Sequence, residues 1–301
     1  MNKILTFAIN TCNNLNYLKL CVQSIQKNAY HRNCDILIVA DGCTDGTNEW
    51  LLELSKTEKR LKYWIHKEKN WHPLYFGIGG SLNNLAEKCE TEYFLPLHSD
   101  MYVGYHFDKE LLRLCKENPK SVISSHRIEP DVFKNIKNNE SKFKTIRPGT
   151  IVCNLDSFGY VYKDFNFNLF TEYSRQFILL NNKEVRKAEG AGGFIIRKED
   201  WIDNDFLFAP ASFEDFDLFI RMQLKNYQFI LTSKSLIWHF SSRFGHFPTD
   251  DFSKTSDIQI QCEKENTKKW LTKWNKYPIN DSNQFVSSVG MFIIDEKSEY
   301  R

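Results

Sequence analysis

Residues 34–56 read CDILIVADGCTDGTNEWLLELSK. The first seven form a near-continuous apolar run of strand length, and the next seven, DGCTDGT, are too rich in Gly, Asp and Thr to prolong a strand or a helix. The last nine place apolar residues at helical spacing, with Asp45 or Thr47 suited to cap the helix. The reading is strand, polar turn, helix. The same unit precedes it: KILTFAI (3–9), a polar stretch from Asn10 to Asn14, then NYLKLCVQSIQKN (16–28). It recurs downstream, with LKYWIH (61–66) before GGSLNNLAEKC (79–89), TEYFLPL (91–97) running into HSD, and KELLRLCKE (109–117) before SVISSH (121–126). Strands alternating with helices and lacking hairpin signals predict an α/β, Rossmann-like fold with a mostly parallel central sheet flanked by helices.

Composition supports a folded chain. Of 301 residues, 42% are hydrophobic and 15% aromatic, enough for one large domain with an extension. A net charge of +2 gives no global field of the kind that marks a nucleic-acid binder. The eight cysteines include no CxxC pair and no zinc-type spacing, which predicts free thiols and a cytoplasmic location. The apolar run ILTFAI (4–9) is too short for a signal-peptide core or a membrane span, so no transmembrane segment is expected.

From about 127 to 188 the alternation stops, and the segment reads as loops and short elements closing over a site. Order returns with GGFIIRKEDW (192–201) and with FEDFDLFIRMQLKN (213–226), a helix whose Phe213, Phe216, Ile220 and Leu224 share a face. YQFILT (227–232) and SLIWHF (235–240) follow. Beyond residue 250 come a polar helix at about 254–275, with Trp270 and Trp274 one turn apart, and the apolar run FVSSVGMFII (285–294).

In a parallel sheet, ligands gather at the carboxyl ends of the strands. The polar residues 10–14, 41–47 and 98–100 belong there. DGCTDGT is not a calcium loop, because Cys43 and Leu52 stand where ligands are required. GIGG (77–80) lacks the preceding strand and third glycine of a dinucleotide fingerprint. Asp217 and Arg221, four apart on the predicted helix, read as a structural ion pair.

Taken in order, INTCNNLNYLKLCVQSI, VADGCTDGT, GGSLNNLAEKC, LHSD, GGFIIRKEDW, FEDFDLFIR and IWH resemble the family-2 inverting glycosyltransferases of the GT-A fold, over roughly residues 3–240. The resemblance implies a glycosyltransferase domain at 1–245, with a nucleotide-binding half (1–126) and an acceptor and catalytic half (127–245), followed by a capping extension at 246–301. It implies a nucleotide-sugar donor, with a UDP-sugar the first expectation, and a divalent cation, Mn2+ or Mg2+. In this family the strand ending at LHSD carries an aspartate-x-aspartate element whose last carboxylate binds the cation; that residue is Asp100. His98 replaces the first aspartate, which leaves it to meet the ribose or join the metal shell without bringing negative charge. His239 falls where many members place a metal-binding histidine. Asp41 matches the residue that reads the uracil edge, and Thr11, ahead of Asn13, lies where base and ribose are expected. Asp215 matches the general base that deprotonates the acceptor, with Glu214 the second choice. Gly192 and Gly193 would allow close backbone approach to the donor sugar, and Trp71, Trp201 and Trp238 are either sugar-stacking or core residues. The acceptor is open: a glycan, a lipid-linked saccharide, a protein or a modified nucleic-acid base. Two rival readings are a non-catalytic sugar-nucleotide or glycan-binding module and a nucleotidyltransferase, although the latter lacks its glycine-rich, lysine-containing loop after the first strand.

Overall fold

A computed structural model describes residues 3–66, 77–132, 134–136, 141–147, 149–181, 184–186, 193–241, 257–274, 280–281 and 284–285. Its first half is the repeated unit read above. Strand β1 (Leu5–Thr11) leads to helix α1 (Leu15–Asn28), β2 (Asp35–Asp41) to α2 (Thr47–Thr57), and β3 (Leu61–His66) precedes α3 (Gly77–Lys88). Then come β4 (Tyr93–His98), the short β5 (Met101–Val103), α4 (Phe107–Glu117) and β6 (Ser121–Pro130). Every residue of β1 and β2 is buried, the mark of central strands covered on both faces.

The segment 127–188, read as loops and short elements, departs from that reading in one long helix. It contains β7 (Phe143–Arg147), β8 (Thr150–Cys153), the helix α5 (Phe167–Leu180) and β9 (Glu184–Arg186). Helix α5 escaped notice because Leu169, Leu179 and Leu180 are exposed while Ser174 is buried, which blurs the helical period. Strand β10 (Phe194–Arg197), helix α6 (Glu214–Leu224) and β11 (Gln228–His239) follow. The two runs YQFILT and SLIWHF are thus one strand, with a register shift between Thr232 and Leu236. Helix α7 (Asp257–Trp274) matches the predicted polar helix, and the apolar run 285–294 lies outside the described residues except for Phe285.

The sheet runs β3-β2-β1-β4-β10-β6-β11-β5, with β8 joined to β6 and β7, and β9 to β11. Pairings among β1–β4 are parallel, as is that of β6 with β11, whereas β10 and β5 run antiparallel to their neighbours. The β-strand alternation splits the core. Phe7, Ile9, Ile36 and Leu95 face α1 and α4, while Ala8, Leu37, Val39 and Phe94 face α3 and α6. A third cluster of aromatic side chains packs Trp238, Phe240 and Tyr102 against Phe158, Phe165 and Phe170. On α6, Phe213, Phe216 and Ile220 are buried against Trp270, but Leu224 is 61% exposed and leaves the predicted face.

Candidate functional site

The carboxyl ends of β1, β2 and β4 form one rim. Asn10 is in register with Val39 on one side and His98 on the other, and Asp41 with His66. Two side-chain atoms there, Asn10 Oδ1 and Thr11 Oγ1, are buried and have no hydrogen-bond partner among the described residues. Leaving such atoms unmade costs about 1–3 kcal/mol each. A ligand rich in donors would recover that cost. Asp41 is buried, with Ser81 Oγ 3.4 Å from its Oδ2. The first two loops are tied together: Asn13, in the left-handed region at φ 46, accepts from Thr44 N at 2.6 Å, and Asp45 accepts from Leu15 N at 2.8 Å. Asp45 also accepts from Thr47 N and Oγ1, so it fixes helix starts as its sequence context predicted.

The HSD stretch turns the chain from β4 into β5. Ser99 N donates to Asn10 O at 3.2 Å, Asn14 Nδ2 to Ser99 Oγ at 3.2 Å, and Phe240 N to Asp100 O at 3.0 Å. These bonds bring Asp100 to the end of β11. There His239 Nε2 lies 3.4 Å from Asp100 Oδ2, and Nδ1 lies 2.6 Å from Glu129 Oε1. Arg127 Nε is 3.1 Å from the same Glu129 oxygen. The parallel register of β6 and β11 pairs Ile128 with Trp238, so Arg127, Glu129 and His239 share the opposite face. Burial alone would depress the His239 pKa, but Asp100 and then Glu129 more than reverse this and raise it to about 9. His98 is the contrast: burial pushes it down to about 4, against the pull of Asp100, so its ring is neutral at pH 7.

The donor set fits a divalent cation. Glu129 accepts a hydrogen bond from Nδ1–H of His239, so when a bound cation displaces the second ring proton, the lone pair it meets is on Nε2, facing Asp100; carboxylate-backed histidines of this kind are standard in metal sites. Adjacent ligands of a small octahedral ion stand about 3 Å apart, close to the 3.4 Å between Nε2 and Oδ2. Among the described residues no three His, Cys, Asp or Glu side chains gather around one point. Asp100 and His239 thus stand as two ligands among the described residues, which suits an ion completed by substrate phosphates. Neither Glu129 nor Arg127 was singled out in the sequence, because the strand was ended at His126. The signal was there in HRIEP, where charged residues alternate with apolar or small ones.

The acidic pair opens α6. Phe213 precedes it in the left-handed region, at φ 77. Asp215 is half-buried, and its Oδ1 accepts from Phe216 N at 2.8 Å. Glu214 is buried, and its Oε2 has no partner among the described residues. Burial, then the charge of Asp215, holds the Glu214 carboxyl well above the usual range. Burial and the neighbouring Asp215 thus favour the protonated form of Glu214. The pair lies at the same rim: Ile78 N, in the first turn of α3, donates to Pro210 O at 2.8 Å. Helix α3 ends just before β4 begins, so its start lies at the carboxyl end of the sheet.

Other candidates sort differently. A Cβ on Gly193 would meet Leu97 at 2.6 Å and Phe107 at 2.9 Å, so core packing, not ligand approach, accounts for its missing side chain. Gly192 and Trp71 lie outside the described residues. Trp238 is fully buried among aromatics, and Trp201 packs edge-on against Phe94. Asp217 and Arg221 form the predicted ion pair at 2.7 Å.

Residues 6–186, more than half of the chain, match the family model described as Glycosyl transferase family 2. EpsH of Bacillus subtilis (strain 168), whose name calls it a glycosyltransferase, is 26% identical over 113 residues, covering 38% of this chain and 30% of its own. The chain thus matches less than a third of the length of that relative. Among solved structures, GalNAc-T7 with UDP, GalNAc and Mn2+ superposes with a TM-score of 0.55 at 12% identity, over 78% of this chain and 43% of that one. S. aureus TarS 1-349 gives 0.50 at 13% identity, over 94% and 76%. At such identities the likeness is one of fold, and the fold is GT-A. Glu214, Asp215 and His239 lie beyond the span matched by the family model.

Proposed function

Because the chain belongs to glycosyl transferase family 2, we propose that it moves a sugar from a nucleoside-diphosphate sugar, a UDP-sugar in first place, to an acceptor hydroxyl with inversion. The observation that carries this reading is the convergence of Asp100 Oδ2 and His239 Nε2, backed by Glu129, at the rim that also holds the unpartnered polar atoms of β1.

In this reading Asp41, Thr11 and Asn10 receive the nucleoside, and neutral His98 offers one donor and one acceptor nitrogen to a ribose hydroxyl. Asp100 and His239 would hold Mn2+ or Mg2+. When bound, such an ion neutralises charge on the leaving diphosphate. Glu129 keeps the imidazole in its ligating orientation. Asp215, beside a Glu214 whose burial favours its protonated form, takes the proton of the attacking hydroxyl. The acceptor belongs to one of the classes named above, and the sequence and geometry select none of them.

We further assign residues 1–245 to the catalytic domain, divided near 126, and 246–301 to an extension. Eight free cysteines favour a cytoplasmic location. Among the described residues no helix is long and apolar enough to cross a membrane.

His98, standing where an acid is usual, favours one rival, a binding module without turnover. A panel of UDP-, GDP- and dTDP-sugars, assayed for nucleotide release with and without Mn2+, separates the two. Metal-dependent release from UDP-sugars supports transfer. Binding without release under every condition supports the module.

A further inference from the structure

We propose that Asn266 of α7 is a positioning residue for the acidic pair, its amide gripping the left-handed turn from which Glu214 and Asp215 project; this rests on the assignment of Asp215 as base. Two successive residues without glycine's freedom, Ser212 at φ 76 and Phe213 at φ 77, immediately precede Glu214. Such conformations persist only where the surroundings over-determine them.

The surroundings act from two sides. On one side is the start of α3, where Ile78 N donates to Pro210 O and where a Cβ on Gly77 would stand 2.0 Å from that oxygen. On the other is α7. Asn266 is fully buried, and its Nδ2 lies 2.9 Å from Phe208 O, 2.8 Å from Ala211 O and 3.0 Å from Ser212 O. Lys269 Nζ donates to Asn266 Oδ1 at 3.0 Å, which fixes the amide with its donors toward the turn. A buried turn of this kind has carbonyls that point away from any ladder and must find donors elsewhere. One side chain from a different element supplies two N–H donors, shared among the three carbonyls.

The rest of α7 repeats the grip. Trp270 is buried, with its ring 5.6 Å from that of Phe213 and 5.9 Å from that of Phe208. Lys273 Nζ bonds Asp217 at 2.6 Å and Asp205 at 2.7 Å, and Trp274 Nε1 donates to Asp217 at 3.0 Å. Asp217 lies in the first turn of α6, so the helix that carries the base is held at its start. Helix α7 packs on the segment 206–208 and on the turn, and its Cys262 reaches the core cluster beside Ala211. The contacts concentrate where the acid pair is aimed.

The test uses the full chain and release of UDP from UDP-glucose and UDP-N-acetylglucosamine. In Asn266→Ala, the rate at saturating donor should fall about 10- to 100-fold, the scale of a displacement near 1 Å at a reacting group, while UDP affinity measured by calorimetry stays within about twofold. Lys264→Gly loosens the same helix from its exposed side without touching the turn and should keep its rate. A normal rate in Asn266→Ala overturns the proposal. So does a parallel loss of rate in both variants that tracks their melting temperatures. Asp215→Asn in the same assay separates the layers: a normal rate there overturns the base assignment and the clamp with it. Loss there with a normal rate in Asn266→Ala overturns the clamp alone.

Discussion

Glu129 Oε1 lies 2.6 Å from Nδ1 of His239, and that contact decides which nitrogen the imidazole presents to Asp100. Removing the acceptor should cost metal affinity without touching a ligand. Glu129→Ala is expected to weaken Mn2+ binding in the presence of UDP by about 10- to 100-fold, measured by electron paramagnetic resonance of free Mn2+. Glu129→Gln keeps a carbonyl acceptor and should lose less. Equal affinity in wild type and Glu129→Ala would remove Glu129 from the account.

The acidic pair predicts a pH signature in stability. Burial and Asp215 raise the Glu214 pKa in the folded protein above its unfolded value. Its contribution is therefore fully present below the unfolded pKa, near 4.3, and is lost as pH rises toward the folded value, by at most about 1.4 kcal/mol per pH unit. Glu214→Gln cannot ionise. Its stability relative to wild type, read from urea unfolding, should increase steadily from pH 5 upward; a pH-independent difference contradicts the buried, proton-holding role.

Turnover separates the same two residues. Asp215→Asn should keep UDP affinity and lower transfer by about 10² to 10⁴, the usual contribution of a general base. Asp41→Asn should instead weaken UDP binding with a smaller effect on turnover at saturating donor. Near-normal turnover in Asp215→Asn with collapse in Glu214→Gln would move the base to Glu214.

Gly77 and Gly79 predict a local steric limit. At Gly77, φ is +73 and a Cβ would clash with a backbone oxygen, so Gly77→Ala should destabilise by about 1–2 kcal/mol for the left-handed backbone alone, and further for the clash. A Cβ on Gly79 would meet Cβ of Asn204 at 2.9 Å and of Glu214 at 3.2 Å. Gly79→Ala should therefore depress turnover more than UDP affinity. Wild-type stability in Gly77→Ala would show that the start of α3 is free to shift.

The first 126 residues were legible because β1, β2 and β4 are buried along nearly their whole length and α1 and α4 each bury one apolar face, so period and polarity change together at Asn10, Asp41 and His98. Asp100, Asp41 and the acidic pair stood out through the order of landmarks. Glu129 did not, since its strand runs past His126 and its partner His239 is 110 residues away. Asn266 did not either: nothing in a polar helix tells which amide will turn inward onto three carbonyls of a distant turn. Gly193 was legible as a glycine with a purpose, but whether a ligand or Leu97 and Phe107 fill the space is decided by tertiary packing.

The account turns on a nucleoside diphosphate and a divalent cation meeting at Asp100 and His239. Isothermal calorimetry of UDP binding with and without Mn2+, on wild type and Asp100→Ala, tests this directly. The expected result is tight binding to wild type only when Mn2+ is present, and loss of that metal response in Asp100→Ala. Equal UDP affinity with and without Mn2+, or an undiminished metal response in Asp100→Ala, would contradict it.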